Sequence, residues 1–298
     1  MRIAFLGTPV AAVPVLNALA QSDHEVPVVI TRPEQRRQRR GALVATPIGQ
    51  AAVALGLNVV TAESSADVAA ALVNQDIDLG VVVAFGLVLN EAVLAIPRLG
   101  LLNIHFSLLP RWRGAAPVQH AVMAGDAKTG VCVMQLEARL DTGAVLAQSV
   151  LPIAANSTTG SLLDSLSPLG ADLLTEVLSD FDSYPAVPQT GDAVWAPSLR
   201  VSDFRIDPHR SAVELDRLVR AGNPDPGAWT MVAGRRLKIV ETHAESDGPL
   251  LGVVDRQGRL GTASGALVLD SVQPEGRRVM SGRAWLAGLR ADEVVIDS

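Results

Sequence analysis

Three side chains stand out for the chemistry they could share. Asn103 and His105 lie two apart in Leu101-Leu102-Asn103-Ile104-His105, at the end of an apolar run. If that run is a strand, alternation puts both side chains on one face. Asp141 lies in Arg139-Leu140-Asp141-Thr142-Gly143, a loop after the apolar run 131–136. An amide donor, an imidazole and a carboxylate to orient it could thus converge. The trio contains no strong nucleophile, so the attacking group must belong to a substrate. The Asn amide and the His can donate hydrogen bonds to a developing oxyanion. The Asp can hold the His tautomer and favour its protonated form, letting it donate or relay a proton. That set suits acyl transfer onto a substrate amine.

Other chemistries fit less well. Asp141-Thr142-Gly143 looks like an aspartic-protease triplet, but that reaction needs paired carboxylates and there is no second triplet. Ser107, His105 and Asp141 suggest a hydrolase triad, but Phe106-Ser107-Leu108 is not a Gly-x-Ser-x-Gly elbow. Gly7-Thr8-Pro9 follows the first apolar run, yet neither Gly-x-Gly-x-x-Gly nor a Walker A loop is present. The single cysteine, Cys132, excludes an internal disulfide and reads as a small core residue. The five histidines show no metal-ligand spacing, so no metal is expected.

These residues need a scaffold, and the pattern around them supplies one. Short apolar runs at 3–6, 26–31, 58–60, 79–84 and 101–105 alternate with helical stretches at 46–55, 64–74 and 117–123. Thr8 and Pro9 read as N-cap and first residue of another helix. Such alternation implies an α/β fold with a mostly parallel sheet covered on both faces. Runs 131–136 and 145–151 are read as an antiparallel extension, and 158–179 reads as a long helix interrupted near Pro168-Leu169-Gly170. Pro185, Pro188 and Pro197 mark an aperiodic, semi-rigid linker. Beyond it come one helix at 211–221 and short strands at close spacing punctuated by Gly258, Gly261 and Gly265, the pattern of a small β-barrel. The expected domains are 1–185, a linker 186–203, and 204–298.

The 298 residues carry a formal net charge of −6, with 48% hydrophobic side chains. That is globular composition, and on charge alone a nucleic-acid binder is the wrong first guess. The charge is uneven. Residues 1–203 hold 12 basic and 18 acidic side chains, and 204–298 hold 13 of each. Within the acidic part, Arg32, Arg36, Arg37, Arg39 and Arg40 stand against Glu34 alone. The start of the chain has no signal-peptide anatomy and no stretch reaches the ~20 apolar residues of a membrane span, so a soluble cytoplasmic protein is expected.

The stretch Asn103-Ile104-His105-Phe106-Ser107-Leu108-Leu109-Pro110 with Arg113-Gly114 following, the Leu140-Asp141-Thr142-Gly143 loop and the Met1 to Pro9 start resemble the folate-dependent formyltransferases. Thr31-Arg32-Pro33, Gly222-Asn223-Pro224-Asp225-Pro226-Gly227, Arg236-Leu237-Lys238-Ile239 and the 273–280 segment resemble the branch of that family acting on methionyl-tRNA. The resemblance covers almost the whole chain. It implies a Rossmann-like catalytic domain and an OB-like C-terminal barrel. It also implies formyl transfer from 10-formyltetrahydrofolate, as co-substrate, to the free amine of initiator methionyl-tRNA, with no metal. Asn103, His105 and Asp141 match the family's catalytic trio. Ser107, Leu108, Leu109 and Pro110 match its folate-contacting segment, and Phe85-Gly86-Leu87 falls near its pterin pocket.

The arginine run matches the family's loop for the tRNA acceptor stem. This makes Arg36, Arg37, Arg39 and Arg40 the expected tRNA contacts, with the key arginine at Arg39. The chain departs from the family pattern at several positions. Gln38 and Arg40 replace glycines beside Arg39, Pro197-Ser198 stands where lysines are common, and Pro208 where Trp is usual. Partners other than tRNA and folate, such as DNA, a membrane or a second copy of the chain, are not expected. The alternative within the family is an N-formyltransferase for sugar nucleotides. The alternative outside catalysis is an inactive binding module.

Overall fold

A computed structural model describes residues 1–36 and 43–297. The apolar runs become strands β1 (Ile3–Gly7), β2 (Val29–Thr31), β3 (Gln35–Arg36), β4 (Leu43–Val44), β5 (Val59–Thr61), β6 (Leu79–Val83), β7 (Leu101–His105), β8 (Lys128–Gln135) and β9 (Val145–Pro152). Among the described residues, seven of these form one sheet in the order β5-β2-β1-β6-β7-β8-β9, while β3 and β4 pair separately. The strands from β5 to β7 run parallel; β8 is antiparallel to β7 and to β9. Every residue of β1 and β6 is buried, as expected of strands covered on both faces.

Helices α1 (Val13–Ala20), α2 (Pro47–Ala54), α3 (Ser65–Leu72), α4 (Glu91–Leu94), α5 (Pro117–Ala124) and α6 (Thr159–Ser179) interleave with the strands. Their starts follow from local chemistry. Thr46 Oγ1 accepts the Gly49 N–H at 3.0 Å, with Pro47 as first helical residue. Ser64 and Asp67 form a capping box, and the hydrogen bonds to Asp67 hold its carboxyl below the usual carboxylate range. Thr8 does not cap a helix. Pro9 precedes a 3₁₀ turn over Val10–Ala12, and Thr8 Oγ1 instead donates to the Phe85 carbonyl at 2.9 Å, tying the end of β1 to the end of β6.

The expected break in α6 is absent; the helix runs through Pro168. Pro168 sits on the exposed side, where water can solvate the carbonyl left without its amide donor. The opposite side is fixed by burial of Leu166, Leu174 and Val177, and Gly170 lies close against Ile104 and Val131 of the sheet.

The chain divides into two compact units. The first comprises the residues up to 117 with 128–152 and 163–196; the second comprises 118–127, 153–162 and the residues from 197 onward. The proline-bearing stretch up to Ala196 is laid along the first unit. Val187 and Val145 exchange backbone hydrogen bonds at 2.8 and 2.9 Å. Arg113 N–H donates to Val194 O at 2.9 Å, and Ala196 N–H to Arg113 O at 2.7 Å.

The second unit contains α7 (Ala212–Gly222), α8 (Gly282–Gly288) and strands β10 (Ala228–Val232), β11 (Arg235–Glu245), β12 (Val253–Val254), β13 (Arg259–Gly261), β14 (Ala266–Pro274) and β15 (Val294–Val295). The strands form a curled antiparallel sheet in the order β10-β11-β14-β13-β12-β15. Asp297 joins its two edges. Its N–H donates to Met231 O at 2.8 Å, and its carboxylate accepts from the Ala233 and Gly234 N–H groups at 3.1 and 2.8 Å. The result is the OB-like half-barrel expected from the spacing of the short strands.

The exposed position of Pro168 leads to a stability prediction. Pro168→Ala restores an amide donor and removes no buried contact, so the urea midpoint should rise, by about 1 kcal/mol or more of stability. A lower midpoint would show that the helix needs its proline.

Candidate active site

Beside the carboxyl ends of β6 and β7 lies a cleft of about 590 Å³. Its walls are largely apolar, formed by Val82, Phe85, Leu87, Ile104, Leu136 and Leu140 among others, and its polar floor includes Asn103, His105 and Asp141. Ligand crevices in such sheets form at strand carboxyl ends. The three residues expected to converge therefore do so, and Phe85-Gly86-Leu87 lines the same space.

Asn103 and His105 share a face of β7 because the strand stays extended through both. Register with β6 and β8 holds it there: Asn103 stands opposite Val82 and Met134, and His105 opposite Cys132. Asn103 is half-buried, and its carboxamide makes no hydrogen bond to another described residue. A donor that lines an apolar cleft and has no partner among the described residues is poised for a ligand oxygen.

His105 is 5% exposed. Its Nε2 lies 3.0 Å from the Trp112 carbonyl oxygen, which can only accept, so Nε2 carries the proton. Its Nδ1 lies 3.7 Å from Asp141 Oδ2, an ion-pair separation longer than a hydrogen bond. The same carboxylate oxygen accepts the Gly114 N–H at 2.8 Å. Gly114 has φ 127°, and a Cβ there would run into the Ala196 carbonyl, so only glycine supplies this N–H. One loop therefore serves two members of the trio: Trp112 accepts from His105, and Gly114 donates to Asp141.

The backbone around the cleft is unusual in a way residue types do not announce. Ala84, Trp112 and Asp141 take φ of 45°, 63° and 50°, conformations that non-glycine residues rarely adopt. Each costs roughly 1–3 kcal/mol, and such residues cluster where surrounding structure over-determines them. Gln189 was also hidden from sequence reasoning. Its Nε2 donates to the carbonyls of Asp141 and Gly143 at 2.9 and 2.8 Å, and its Oε1 accepts from Arg113 Nε and Nη2 at 3.0 and 2.7 Å. Nothing in the local pattern around Gln189 signals this, because its partners lie 46 to 76 residues away.

Other expected residues fall elsewhere. Ser107, Leu108, Leu109 and Pro110 do not line the cleft. Ser107 is fully buried, and its hydroxyl donates to Arg111 O at 2.7 Å. Leu109 packs with Cys132, Met134 and Val145 in a separate core cluster. The segment shapes the turn that carries Trp112 and Gly114. Of the arginine run, Arg37, Arg39 and Arg40 lie outside the described residues, and Arg36 is described only as part of β3. Among the described residues no group of three or more His, Cys, Asp and Glu is placed to hold a metal ion, and no helix is long and apolar enough to cross a membrane.

Residues 1–178 match the formyl transferase domain family, and residues 198–290 match the formyl transferase C-terminal domain. The methionyl-tRNA formyltransferase of Jannaschia sp. (strain CCS1) is 43% identical over 293 residues, covering 97% of each chain. Among solved structures, the methionyl-tRNA formyltransferase of Clostridium thermocellum shares the fold at a TM-score of 0.59 and 14% identity, over 82% of this chain and 94% of that one. HypX from Aquifex aeolicus, solved in complex with tetrahydrofolic acid, matches at a TM-score of 0.66 and 18% identity. The match covers 96% of this chain, which spans about half the length of HypX (47%).

Cys132 adjoins the trio but belongs to the scaffold. Burial pushes its thiol up to about 12, and its Sγ donates to Ser107 O at 2.9 Å. Iodoacetamide at pH 8 should therefore alkylate Cys132 in urea and leave it essentially unmodified in the folded protein. Rapid labelling without denaturant, read by intact mass, would contradict its place in the core.

Proposed function

The chain belongs to the formyl transferase family, in the branch of the methionyl-tRNA formyltransferases, and on that premise we propose which side chains move the formyl group. The enzyme transfers a formyl group from 10-formyltetrahydrofolate to the free amine of methionyl-tRNA, the charged initiator used to begin translation. The cleft suits that donor: its apolar walls can take a flat heterocycle, and its polar floor can meet a carbonyl oxygen.

The observation that carries the assignment of roles is the Asn103 carboxamide, without a partner among the described residues, beside His105, with Asp141 behind the ring. Asn103 donates an N–H to the formyl oxygen as the methionyl amine attacks and negative charge develops there. His105 supplies Nε2–H, held on the Trp112 carbonyl before substrate arrives, and helps carry the amine's proton to the departing folate nitrogen. Asp141 faces Nδ1 and stabilises the ring when it is protonated. Gly114 N–H keeps the Asp141 carboxylate oriented. Ser107, Leu108, Leu109 and Pro110 form the folate-binding segment, in the turn beside the cleft, and Phe85-Gly86-Leu87 provides the wall for the ring system.

Arg36, Arg37, Arg39 and Arg40 hold the tRNA acceptor end, a local basic grip on an otherwise acidic half of the chain. The functional division is a catalytic domain 1–185, a linker 186–203 and a C-terminal domain 204–298. The protein acts as a monomer in the cytoplasm, without DNA, membrane or metal.

Two measurements test these assignments. Folded Asn103→Ala and Asp141→Ala should each lose about 100–1,000-fold in formylation turnover, the range for removing an oxyanion donor or its support. Near-normal rates in either would remove that residue from the mechanism. Replacing Arg36, Arg37, Arg39 and Arg40 with Gln should flatten the log–log salt dependence of tRNA binding by about 0.7–0.9 per lost phosphate contact. An unchanged slope would make the run mere solvated surface.

A further inference from the structure

We propose that Gln189 is a positioning residue for the trio: one side-chain amide sets the place of the Asp141 loop against the loop that serves His105. The inference rests on the role given to Asp141 above. A primary amide offers two N–H donors and an oxygen with two lone pairs. Gln189 uses all four, giving its N–H groups to the Asp141 and Gly143 carbonyls and accepting twice from the Arg113 guanidinium. The amide cannot be reversed, because its oxygen would then face two carbonyls and its NH₂ a guanidinium.

The two sides of this bridge are the two sides of the site. Arg113 lies between Trp112, whose carbonyl accepts from His105, and Gly114, whose N–H holds Asp141. The other side is the peptide of Asp141 itself, held at φ 50°. Gly143, next in the bridge, has no room for a side chain, because a Cβ would run into the Gln135 carbonyl. The His105–Asp141 separation of 3.7 Å is just outside hydrogen-bond range, so a small shift of the loop decides whether the pair closes. Gln189 is itself placed by a strap, the segment stitched to the first unit at Val187 and Val194. It is half-buried, while its neighbours Pro188 and Thr190 are exposed. A misplacement of about 1 Å at a reacting group can cost 100-fold in rate.

Gln189→Glu keeps the shape and the acceptors for Arg113, but sets a carboxylate against two carbonyls. Gln189→Met keeps only the shape. With saturating 10-formyltetrahydrofolate and methionyl-tRNA, both variants should lose about 10–100-fold in kcat. Both KM values should change by less than about twofold, since Gln189 does not line the cleft. The decisive readout is the double variant. If Gln189 acts through Asp141, Gln189→Glu combined with Asp141→Asn should be no slower than Asp141→Asn alone. Fully multiplied losses, a change confined to KM, or an unchanged kcat in Gln189→Glu would each overturn the inference. Should Gln189→Met melt early, Gln189→Glu carries the test alone, with its fold checked by thermal denaturation. Asp141→Asn separates the two failures. If it alone keeps full turnover, the assignment of Asp141 falls and this inference with it. If it is slow while Gln189→Glu is normal, only this inference falls.

Discussion

The alternation of side chains along β7 is the constraint on which the site depends. Asn103 and His105 face one cleft only because the strand stays extended between them and cannot slip. A slip of one residue would turn both side chains to the other face and bring Leu102 and Ile104 out in their place. Parallel pairing to β6 and antiparallel pairing to β8 lock the register from both sides. The burial of the alternating residues, Leu102 and Ile104, reinforces it. Two members of the trio are thus fixed to an interior strand of the sheet, while the third, Asp141, lies on a loop.

Those loops divide the work. The turn after β7 supplies two backbone groups, the Trp112 carbonyl and the Gly114 N–H, to two different members of the trio. The loop after β8 brings the carboxylate. Neither loop is held by secondary structure of its own, and each contains a non-glycine residue at positive φ, Trp112 and Asp141. Strain of that kind persists only where other contacts over-determine it. Here those contacts come from the backbone pairing of Arg113 with the strap near Val194 and Ala196, and from the amide of Gln189.

Much of the scaffold was legible in sequence. The strand over Leu101–His105 follows from a β-branched and leucine run bounded by Gly100 and the polar turn, and its alternation correctly joined Asn103 to His105. The helix starts at Thr46, Ser64 and Ser211 follow from side-chain capping, which is local. Errors arose where tertiary contacts outweighed local preference. Pro168 should end a helix, but its ring faces solvent and the buried side of α6 carries the helix through. Thr8 has the right type for a cap, but the Phe85 carbonyl claims its hydroxyl. Likewise the barrel strands were readable from their spacing, whereas the joining of their edges by Asp297 depends on groups more than 60 residues away in sequence. The hold of Gln189 on the active site was invisible for the same reason.

Why an amide should occupy that bridging place follows from the charges it meets. One side of Gln189 presents two carbonyl oxygens and the other a guanidinium. A lysine could donate to the carbonyls but would repel the arginine; a carboxylate would pair with the arginine but repel the carbonyls. Only a neutral group with donors at one end and acceptors at the other satisfies both, and it does so without adding charge beside Asp141. The bridge therefore joins the Asp141 loop to the loop that serves His105 without itself bringing a charge to the site.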